Sequence, residues 1–279
     1  MKKIKPYYQI ISCFFFSLLG VQIKSSLSSG SIENIVFYRS FMGSLILLII
    51  ILFSEKKFLS MIVTKNLKVH LIRSLCGILA MYYGYKSLIY LTLAQASTIG
   101  FSKVFFTCIL SIFFLSEKLS IKTFLLIILG FLGILLITNP NQISEGVGVY
   151  MSLFSAICVA GGIISISYLS KREETITILL YQSVISTLVF FIFLRNNISL
   201  QLDFSTISYF LITVTALLGQ FFNTESYKNF KTNNIVILSY TRIIFSSILG
   251  FLFFDEKIGM FGLLGILLVI LTTFKIQKK

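Results

Sequence analysis

The sequence predicts an all-α integral membrane protein whose ten transmembrane helices form two inverted repeats of five helices. Hydrophobic residues make up 56% of its 279 residues and charged residues only 12%, which is far from the usual composition of soluble domains. The apolar residues fall into ten runs of 17 or more. A third observation predicts the repeats, because the segment 96–119 recurs 139 residues later as the segment 235–258.

The ten apolar runs are the predicted spans, taken in chain order. Each run is long enough to cross a hydrocarbon core of about 30 Å as a helix. A transmembrane β-barrel would need alternating strands of about ten residues, whereas these runs are longer and apolar on every face. The connections are short and polar, and none is large enough for a soluble domain. The runs begin near Tyr7, Ile35, Leu71, Leu93, Ile121, Val147, Ile176, Phe204, Asn234 and Gly259.

The Lys and Arg residues of the connections predict the orientation, because positive charge is retained on the cytoplasmic side. With the N-terminus inside, 16 of the 24 Lys and Arg residues lie in cytoplasmic segments and three in outer segments. Both termini are therefore expected in the cytoplasm. The net charge of +14 then reflects topology, and no nucleic-acid partner is predicted. The first run lacks a following A-x-A cleavage site, so we interpret it as a span and not as a signal peptide.

Two stretches carry the internal repeat. The segments 96–119 and 235–258 align without a gap, which places Lys103 on Arg242. Earlier in each half, YRSFMGSLIL from Tyr38 matches YQSVISTLVF from Tyr181 with an offset of 143. The predicted repeats are residues 1–138, with spans one to five, and residues 147–275, with spans six to ten. Because five is odd, the second repeat enters the membrane from the opposite side, as in many secondary transporters.

Lys103 and Arg242 are the two cations predicted to lie near the middle of the membrane. Lys103 is about ten residues into its span, which is roughly 15 Å at 1.5 Å per residue. A Lys or Arg at this depth costs about 2.5–3.5 kcal/mol, so we expect it to face a wet cavity or an ion-pair partner. Arg39, Arg73 and Lys86 lie nearer the span ends, where their long stems could reach the headgroups.

Small and polar residues share a helical face with each of these cations. This pattern favours a solute cavity, although small residues at this spacing also allow close helix packing in lipid. The residues on the first face are Ala96, Gly100, Thr107 and Ser111, and those on the second are Ser239, Ser246 and Gly250.

The chain resembles the EamA-type permeases of the drug/metabolite transporter superfamily. The resemblance lies in FYRSFMGSL, in HLIRSLCGILAMYYGYKSLIYLTLAQAS and in the two ends FFLSEKL and FFDEKI, in this order and spacing. It covers nearly the whole chain and is nearest to the bacterial S-adenosylmethionine uptake transporters. It implies a cavity lined by spans 1, 3, 4, 6, 8 and 9, alternating access and a bacterial inner-membrane location. Many members have a proline after the position of each cation, where this chain has Val104 and Ile243.

We therefore predict a secondary transporter for an anionic or zwitterionic metabolite, such as an amino acid or a compound similar to S-adenosylmethionine. Arg supplies bidentate hydrogen bonds and Lys a point charge for a carboxylate or phosphate. Glu225 is a candidate for proton coupling, with an interfacial carboxylate beside Lys228 as the alternative. The predicted substrate-binding residues are Lys103, Arg242, Thr107, Ser246, Gln220, Asn223, Tyr240, Tyr82 and Lys86.

Other functional classes have less support in the sequence. His70 is the single histidine and stands in no HExxH motif, and no GxSxG or Walker A motif is present. An intramembrane enzyme or a channel-like protein using the same cavity remains the alternative. We predict no cofactor and no metal. The expected partners are the metabolite and the lipid bilayer, and a homodimer is compatible with the sequence.

Overall fold

The computed structural model describes residues 7–27, 31–55, 61–138, 146–194, 196, 205–255, 264–268 and 270–271. Within these ranges the regular secondary structure is helical and contains no β-strand. The main helices are α1 (Tyr7–Ser26), α2 (Ile32–Leu52), α3 (Leu67–Ser87), α4 (Leu93–Gly100), α5 (Lys103–Leu115), α6 (Ile121–Thr138), α7 (Gly146–Leu169), α8 (Thr175–Leu194), α9 (Ser205–Tyr227), α10 (Thr232–Leu238) and α11 (Thr241–Phe254).

The length and apolar composition of its helices identify the chain as a multi-pass membrane protein. Seven helical segments of the described ranges are long and apolar enough to span a membrane, if α4 with α5 and α10 with α11 each count as one. The predicted third span corresponds to α3, whose His70, Arg73 and tyrosines lower its mean hydropathy. The predicted fifth span corresponds to α6, of which Ile121–Gly133 is a shorter apolar helix. The predicted tenth span, from Gly259, lies largely outside the described residues.

Two spans are interrupted, and the interruptions lie within one residue of the 139-residue offset. Residues 101–102 separate α4 from α5, and residues 239–240 separate α10 from α11. In each interruption a backbone amide bonds three residues back: Val104 N to Phe101 O at 2.9 Å and Ile243 N to Tyr240 O at 3.1 Å. Such bonds tighten the backbone and locally end the α-helix.

A hydroxyl group accompanies each interruption. Ser102 Oγ donates to Ile99 O at 2.8 Å, and Thr241 Oγ1 donates to Leu238 O, also at 2.8 Å. A hydroxyl that binds a nearby carbonyl competes with the helical hydrogen bonds, and this explains why these apolar spans break here. All four residues obey the 139-residue offset, so the repeat found in the sequence extends to individual hydrogen bonds.

The two interrupted spans also end alike. The residue after α5 is Ser116 with φ 52°, and the residue after α11 is Asp255 with φ 53°. Their amides bond to Ser111 O and Gly250 O respectively. A left-handed residue is a common helix terminator because it turns the chain sharply and satisfies a free carbonyl. These positions, too, are 139 residues apart.

The helices pack in pairs that recur when the halves are exchanged. Helix α1 packs against α9, and in the same way α3 packs against α7. Helix α1 also contacts α11, as α7 contacts α5, while α2 and α8 pack against each other. Each of these contacts joins a helix of the first half to one of the second. A space between the halves is therefore enclosed by helices of both.

At one end of the bundle three carboxylates accept hydrogen bonds; we call this end the acidic end and define it by Glu117, Glu173 and Glu225. Glu117 accepts hydrogen bonds from the amides of Thr232 at 2.8 Å and Asn233 at 3.2 Å. A carboxylate at this position satisfies free amides at the N-terminus of α10 and interacts favourably with the helix dipole.

Glu173 joins the two halves at the acidic end. Its carboxylate lies 2.6 Å from Nε2 of the fully buried His70 and accepts hydrogen bonds from Thr64 and from Asn66 Nδ2 at 2.8 Å. The imidazole of His70 stacks on Tyr181 with 4.4 Å between ring centroids. Burial raises the pKa of Glu173, but the hydrogen bonds from Thr64, Asn66 and His70 together outweigh burial and hold the pKa below its usual value.

Candidate functional site

A cavity of about 250 Å³ lies between the two halves. The six spans expected around it all contribute, and α2 and α8 add one residue each, Arg39 and Gln182. Small residues of α3 and α7, including Gly77 and Gly162, open the space between these helices. The polar side chains in its wall are Gln9, Arg39, Arg73, Tyr85, Ser87, Ser97, Lys103, Ser152, Ser155, Gln182, Gln220, Asn223, Ser239 and Arg242.

Four cations line this cavity: Arg39, Arg73, Lys103 and Arg242. No Asp or Glu is among the lining residues in the part of the chain that the structure describes. A cation in the middle of the membrane costs at least about 2.5 kcal/mol, and neutral hydrogen-bond acceptors offset only part of this. The cavity therefore holds a cluster of positive charge that an anion would stabilise.

The helix interruptions position Lys103 and Arg242. Lys103 is the first residue of α5 and Arg242 the second residue of α11, so each lies at the N-terminus of a helix inside the bundle. Arg242 Nη2 donates to Phe16 O at 3.3 Å, and its Nε is buried with no acceptor among the described atoms. The Lys103 ammonium lies 5.3 Å from the ring centroid of Phe101. The positive dipole end of a helix favours a bound anion.

Arg39 reaches the cavity from α2. Its relative exposure is 8%, and Nη1 donates to the Tyr85 hydroxyl at 2.6 Å and to the thioether sulfur of Met81. A thioether is a weak acceptor, and the phenol is neutral. These contacts fix the guanidinium in place but leave its charge without a counter-ion.

Arg73 reaches the cavity from α3. Its relative exposure is 7%, Nη1 donates to Gln182 Oε1 at 2.9 Å, and Nε is buried with no acceptor among the described atoms. Gly77 gives the pair room, because a Cβ there would lie 2.3 Å from Gln182 Nε2 and 2.8 Å from Arg73 Nη1. The absence of a side chain at Gly77 thus allows the Arg73–Gln182 contact.

Arg39 and Arg73 were not predicted to face inward. Because both residues lie near span ends, they were expected to contact the lipid headgroups. The depth of a residue along a helix, however, does not determine which face of the helix it occupies. One signal was available for Arg39. The matched stretches from Tyr38 and Tyr181 place Arg39 on Gln182, and both of these residues line the cavity.

Gln220 and Asn223 of α9, two of the predicted substrate-binding residues, also line the cavity. Next to them, Gln9 of α1 donates to Ser239 Oγ at 3.0 Å and accepts from Ser226 Oγ at 2.7 Å. The amides of Gln220 and Asn223 can both donate and accept hydrogen bonds, so they suit the neutral polar groups of a solute.

Three predicted site residues lie outside the cavity wall. Tyr240 is fully buried among apolar residues, and its hydroxyl donates to Ile127 O at 3.2 Å, because the interruption turns its side chain toward α6. Thr107 is also fully buried and does not contact the cavity. Ser246 lies one layer behind the wall, where Ser97 donates to its hydroxyl at 3.2 Å and Ser17 is 3.1 Å away.

Tyr82 and Lys86 likewise lie apart from the cavity. The Tyr82 hydroxyl donates to Glu33 Oε1 at 3.4 Å, and the Lys86 ammonium lies 5.5 Å from the Tyr82 ring centroid. These residues form a polar group where α2 begins and α3 ends. Tyr85, three residues after Tyr82, lines the cavity instead.

Glu225 is placed at the acidic end and not in the cavity wall. Its Oε1 accepts hydrogen bonds from Thr175 and Lys228. Because the carboxylate already has a cation three residues away, this geometry favours the interfacial alternative over proton coupling.

Comparison with known proteins agrees with this architecture. The chain matches the sequence profile of the EamA-like transporter family over residues 6–139 and 146–276. The pseudopaline exporter CntI of Pseudomonas aeruginosa is 25% identical over 271 residues, which cover 96% of this chain and 94% of that protein. An S-adenosylmethionine uptake transporter of Rickettsia conorii is 25% identical over 281 residues, covering 97% and 92%. A solved structure with 15% identity superposes with a TM-score of 0.73 over 95% of this chain and 94% of that one, which shows similarity of fold.

Proposed function

The chain belongs to the EamA-like transporter family, and from this premise we propose that it is a secondary transporter for a small organic anion in a bacterial inner membrane. The proposal is based on one observation. Four cations line a central cavity in which the described residues supply no carboxylate. A membrane protein retains such costly charges where they have a function, and a soluble anion is the counter-ion that a transporter would bring.

We assign the chain ten spans in two inverted repeats, with the solute site between them. The matched interruptions, the matched left-handed residues and the exchanged packing of α1 with α9 and α3 with α7 support this arrangement. Repeats of this type transport by rocking one half against the other around a fixed site. The positive-inside pattern supports a cytoplasmic location for the acidic end and for both termini.

Lys103 and Arg242 are the proposed primary ligands. Arg242 offers a planar guanidinium that can bind both oxygens of a carboxylate, and Lys103 offers a compact ammonium. The N-termini of α5 and α11 add positive dipole ends beside these two cations. Gln220 and Asn223 hydrogen-bond the uncharged polar groups of the solute.

The relatives bear on the solute class. One is named for export of pseudopaline and another for uptake of S-adenosylmethionine, so solute and direction differ within the family. S-adenosylmethionine carries a sulfonium cation, which four nearby cations would repel. We therefore propose an anionic solute for this chain, in preference to S-adenosylmethionine.

Reconstituted vesicles test the proposal. Counterflow of labelled malate, glutamate and S-adenosylmethionine is measured for the wild-type chain, for the Lys103→Leu, Arg242→Leu double variant and for a control, Arg172→Gln. Arg172 lies on the exposed turn after α7, and its guanidinium donates to Tyr168 O. We expect saturable counterflow of an anion that the double variant loses and the control retains. Equal counterflow in the double variant would contradict the proposal. Non-saturating flux would indicate a channel, and chemical conversion of the solute would indicate an enzyme.

A further inference from the structure

Resting on the proposed function, we propose that Arg39 and Arg73 form a second anion subsite, so that the transported solute is an organic dianion with one anionic group at each cation pair. The first pair is Lys103 and Arg242 at the helix interruptions. The second pair belongs to α2 and α3, a different part of the cavity wall.

Arg39 and Arg73 are held in place by neutral acceptors and form no ion pair with a described residue, as expected for a site that binds an anion. Arg39 is held by a phenol and a thioether, and Arg73 by one amide oxygen. Nothing among the described residues around either guanidinium carries negative charge, and Arg73 Nε is buried without an acceptor. A structural arginine in such a buried place would be expected to have a carboxylate or several carbonyl oxygens as acceptors.

The two guanidinium groups contact neighbouring turns of α3. The Arg73 group lies beside Gly77, and the Arg39 group lies beside Met81. Gly77 and Met81 are one turn apart on α3, which is about 6 Å along the helix. A carboxylate or phosphate between them would accept hydrogen bonds from both.

The charge of the whole cavity points to the same solute class. A monoanion at Lys103 and Arg242 would offset one of the four positive charges and leave Arg39 and Arg73 without an anionic partner. A second anionic group on the same molecule supplies that partner and lowers the remaining charge of the cavity from three to two. The cavity volume of about 250 Å³ is at the low end for a ligand site, so the dianion is a small metabolite.

The contribution of the second anionic group to binding can be measured with two ligands of nearly equal size that differ in that group. Glutarate has two carboxylates, and monomethyl glutarate has one carboxylate and one neutral ester. Isothermal titration calorimetry on the full chain in detergent gives the Kd of each compound. For the wild-type chain we expect glutarate to bind at least about tenfold more tightly, since hydrogen bonds between charged groups are the strong ones.

Neutral variants assign the difference to the second subsite. We expect Arg39→Gln and Arg73→Gln to bring the Kd ratio of the two compounds close to one, because they weaken the binding of glutarate much more than that of the monoester. Arg172→Gln is the matched control and keeps the wild-type ratio. If a glutamine variant does not fold, Arg39→Lys or Arg73→Lys keeps the charge and should retain a reduced preference for glutarate. Phosphoglycolate, titrated alongside, tells whether the second group is better matched by a carboxylate or a phosphate.

The outcomes separate this inference from the proposed function. Equal Kd values for glutarate and its monoester in the wild-type chain would overturn the second subsite, while anion binding that is lost in Lys103→Leu, Arg242→Leu would leave the proposed function standing. A preference for glutarate that survives in both glutamine variants would also overturn the subsite. Binding of none of the three anions would contradict the proposed function itself, and the second subsite with it.

Discussion

The charged residues of the acidic end have partners within the protein, whereas those of the central cavity have no counter-ion among the described residues. At the acidic end each of the three carboxylates meets a donor or a cation: Glu117 at the N-terminus of α10, Glu173 at His70, and Glu225 at Lys228. In the cavity, four cations meet only neutral groups among the described residues. Charges that are compensated within the protein stabilise its fold, whereas charges left uncompensated in a cavity are available to a ligand. The difference separates structural from functional charge within one molecule.

Neutralising a cavity cation should produce the largest effect and should change binding and stability in opposite directions. We expect Arg242→Met to weaken glutarate binding about ten- to hundredfold, because a hydrogen bond between charged groups is worth about 1.5–3 kcal/mol. The same change removes an uncompensated buried charge, so the Tm of the unliganded protein should stay constant or rise. Calorimetric titration and thermal unfolding in detergent measure the two effects. A fall in both affinity and Tm would instead indicate a structural cation.

Neutralising the acidic end should have the reverse pattern. Glu173→Ala removes the acceptor of the partly buried Thr64 and Asn66 and of the fully buried His70. We expect a loss of about 1–3 kcal/mol in the free energy of unfolding, with the glutarate Kd unchanged. Chemical unfolding and titration calorimetry provide the test. Weaker glutarate binding without loss of stability would break the distinction between the two regions.

Two glycines in the cavity wall offer a smaller, matched comparison. Gly77→Ala places a methyl group 2.3 Å from Gln182 Nε2, so Gln182 and Arg73 must move. At Gly100 an added Cβ has no atom within 4 Å. We expect Gly77→Ala to weaken glutarate binding severalfold, since overpacking displaces neighbours at a cost of about 1–3 kcal/mol, and Gly100→Ala to bind as the wild type does. Equal affinities of the two variants would exclude a role for the Arg73–Gln182 geometry in binding.

The smallest effect concerns pH at the acidic end. The pKa of Glu173 is lower in the folded protein than its ordinary value of 4.5, so its ionised form stabilises the fold. This stability is fully present above pH 4.5 and is lost as the pH falls through the lowered pKa. Thermal unfolding should show a Tm that drops below that pH in the wild type and drops less in Glu173→Gln. An identical drop in the variant would assign the acid sensitivity to other groups.

Much of the fold follows from the sequence because it depends on length and repetition. Apolar runs predict spans, and the 139-residue offset places Lys103 and Arg242 at equivalent positions, which the two helix interruptions share. The interruptions themselves were not predicted. Ser102 and Thr241 break the helices through hydroxyl–carbonyl bonds, but a serine or threonine in an apolar span can equally well leave a helix intact.

The candidate site was only partly predictable, because the face that a residue occupies depends on packing. Arg39 and Arg73 lie near span ends in the sequence, yet contacts with Tyr85 and Gln182 turn them inward. Tyr240 shares a stretch with Arg242, yet the local turn directs its ring into the apolar core. Neither direction follows from helical periodicity, which no longer applies across an interruption.

The central claim is that the cavity selects its solute by negative charge, and ligands of equal length and opposite charge test it most directly. Glutarate and 1,5-diaminopentane each carry two charges on a five-carbon chain. Their Kd values for the wild-type chain are measured by titration calorimetry at pH 7 in one buffer. We predict saturable binding of glutarate and no detectable binding of the diamine. Binding of the diamine as tight as that of glutarate, or tighter, would contradict the account.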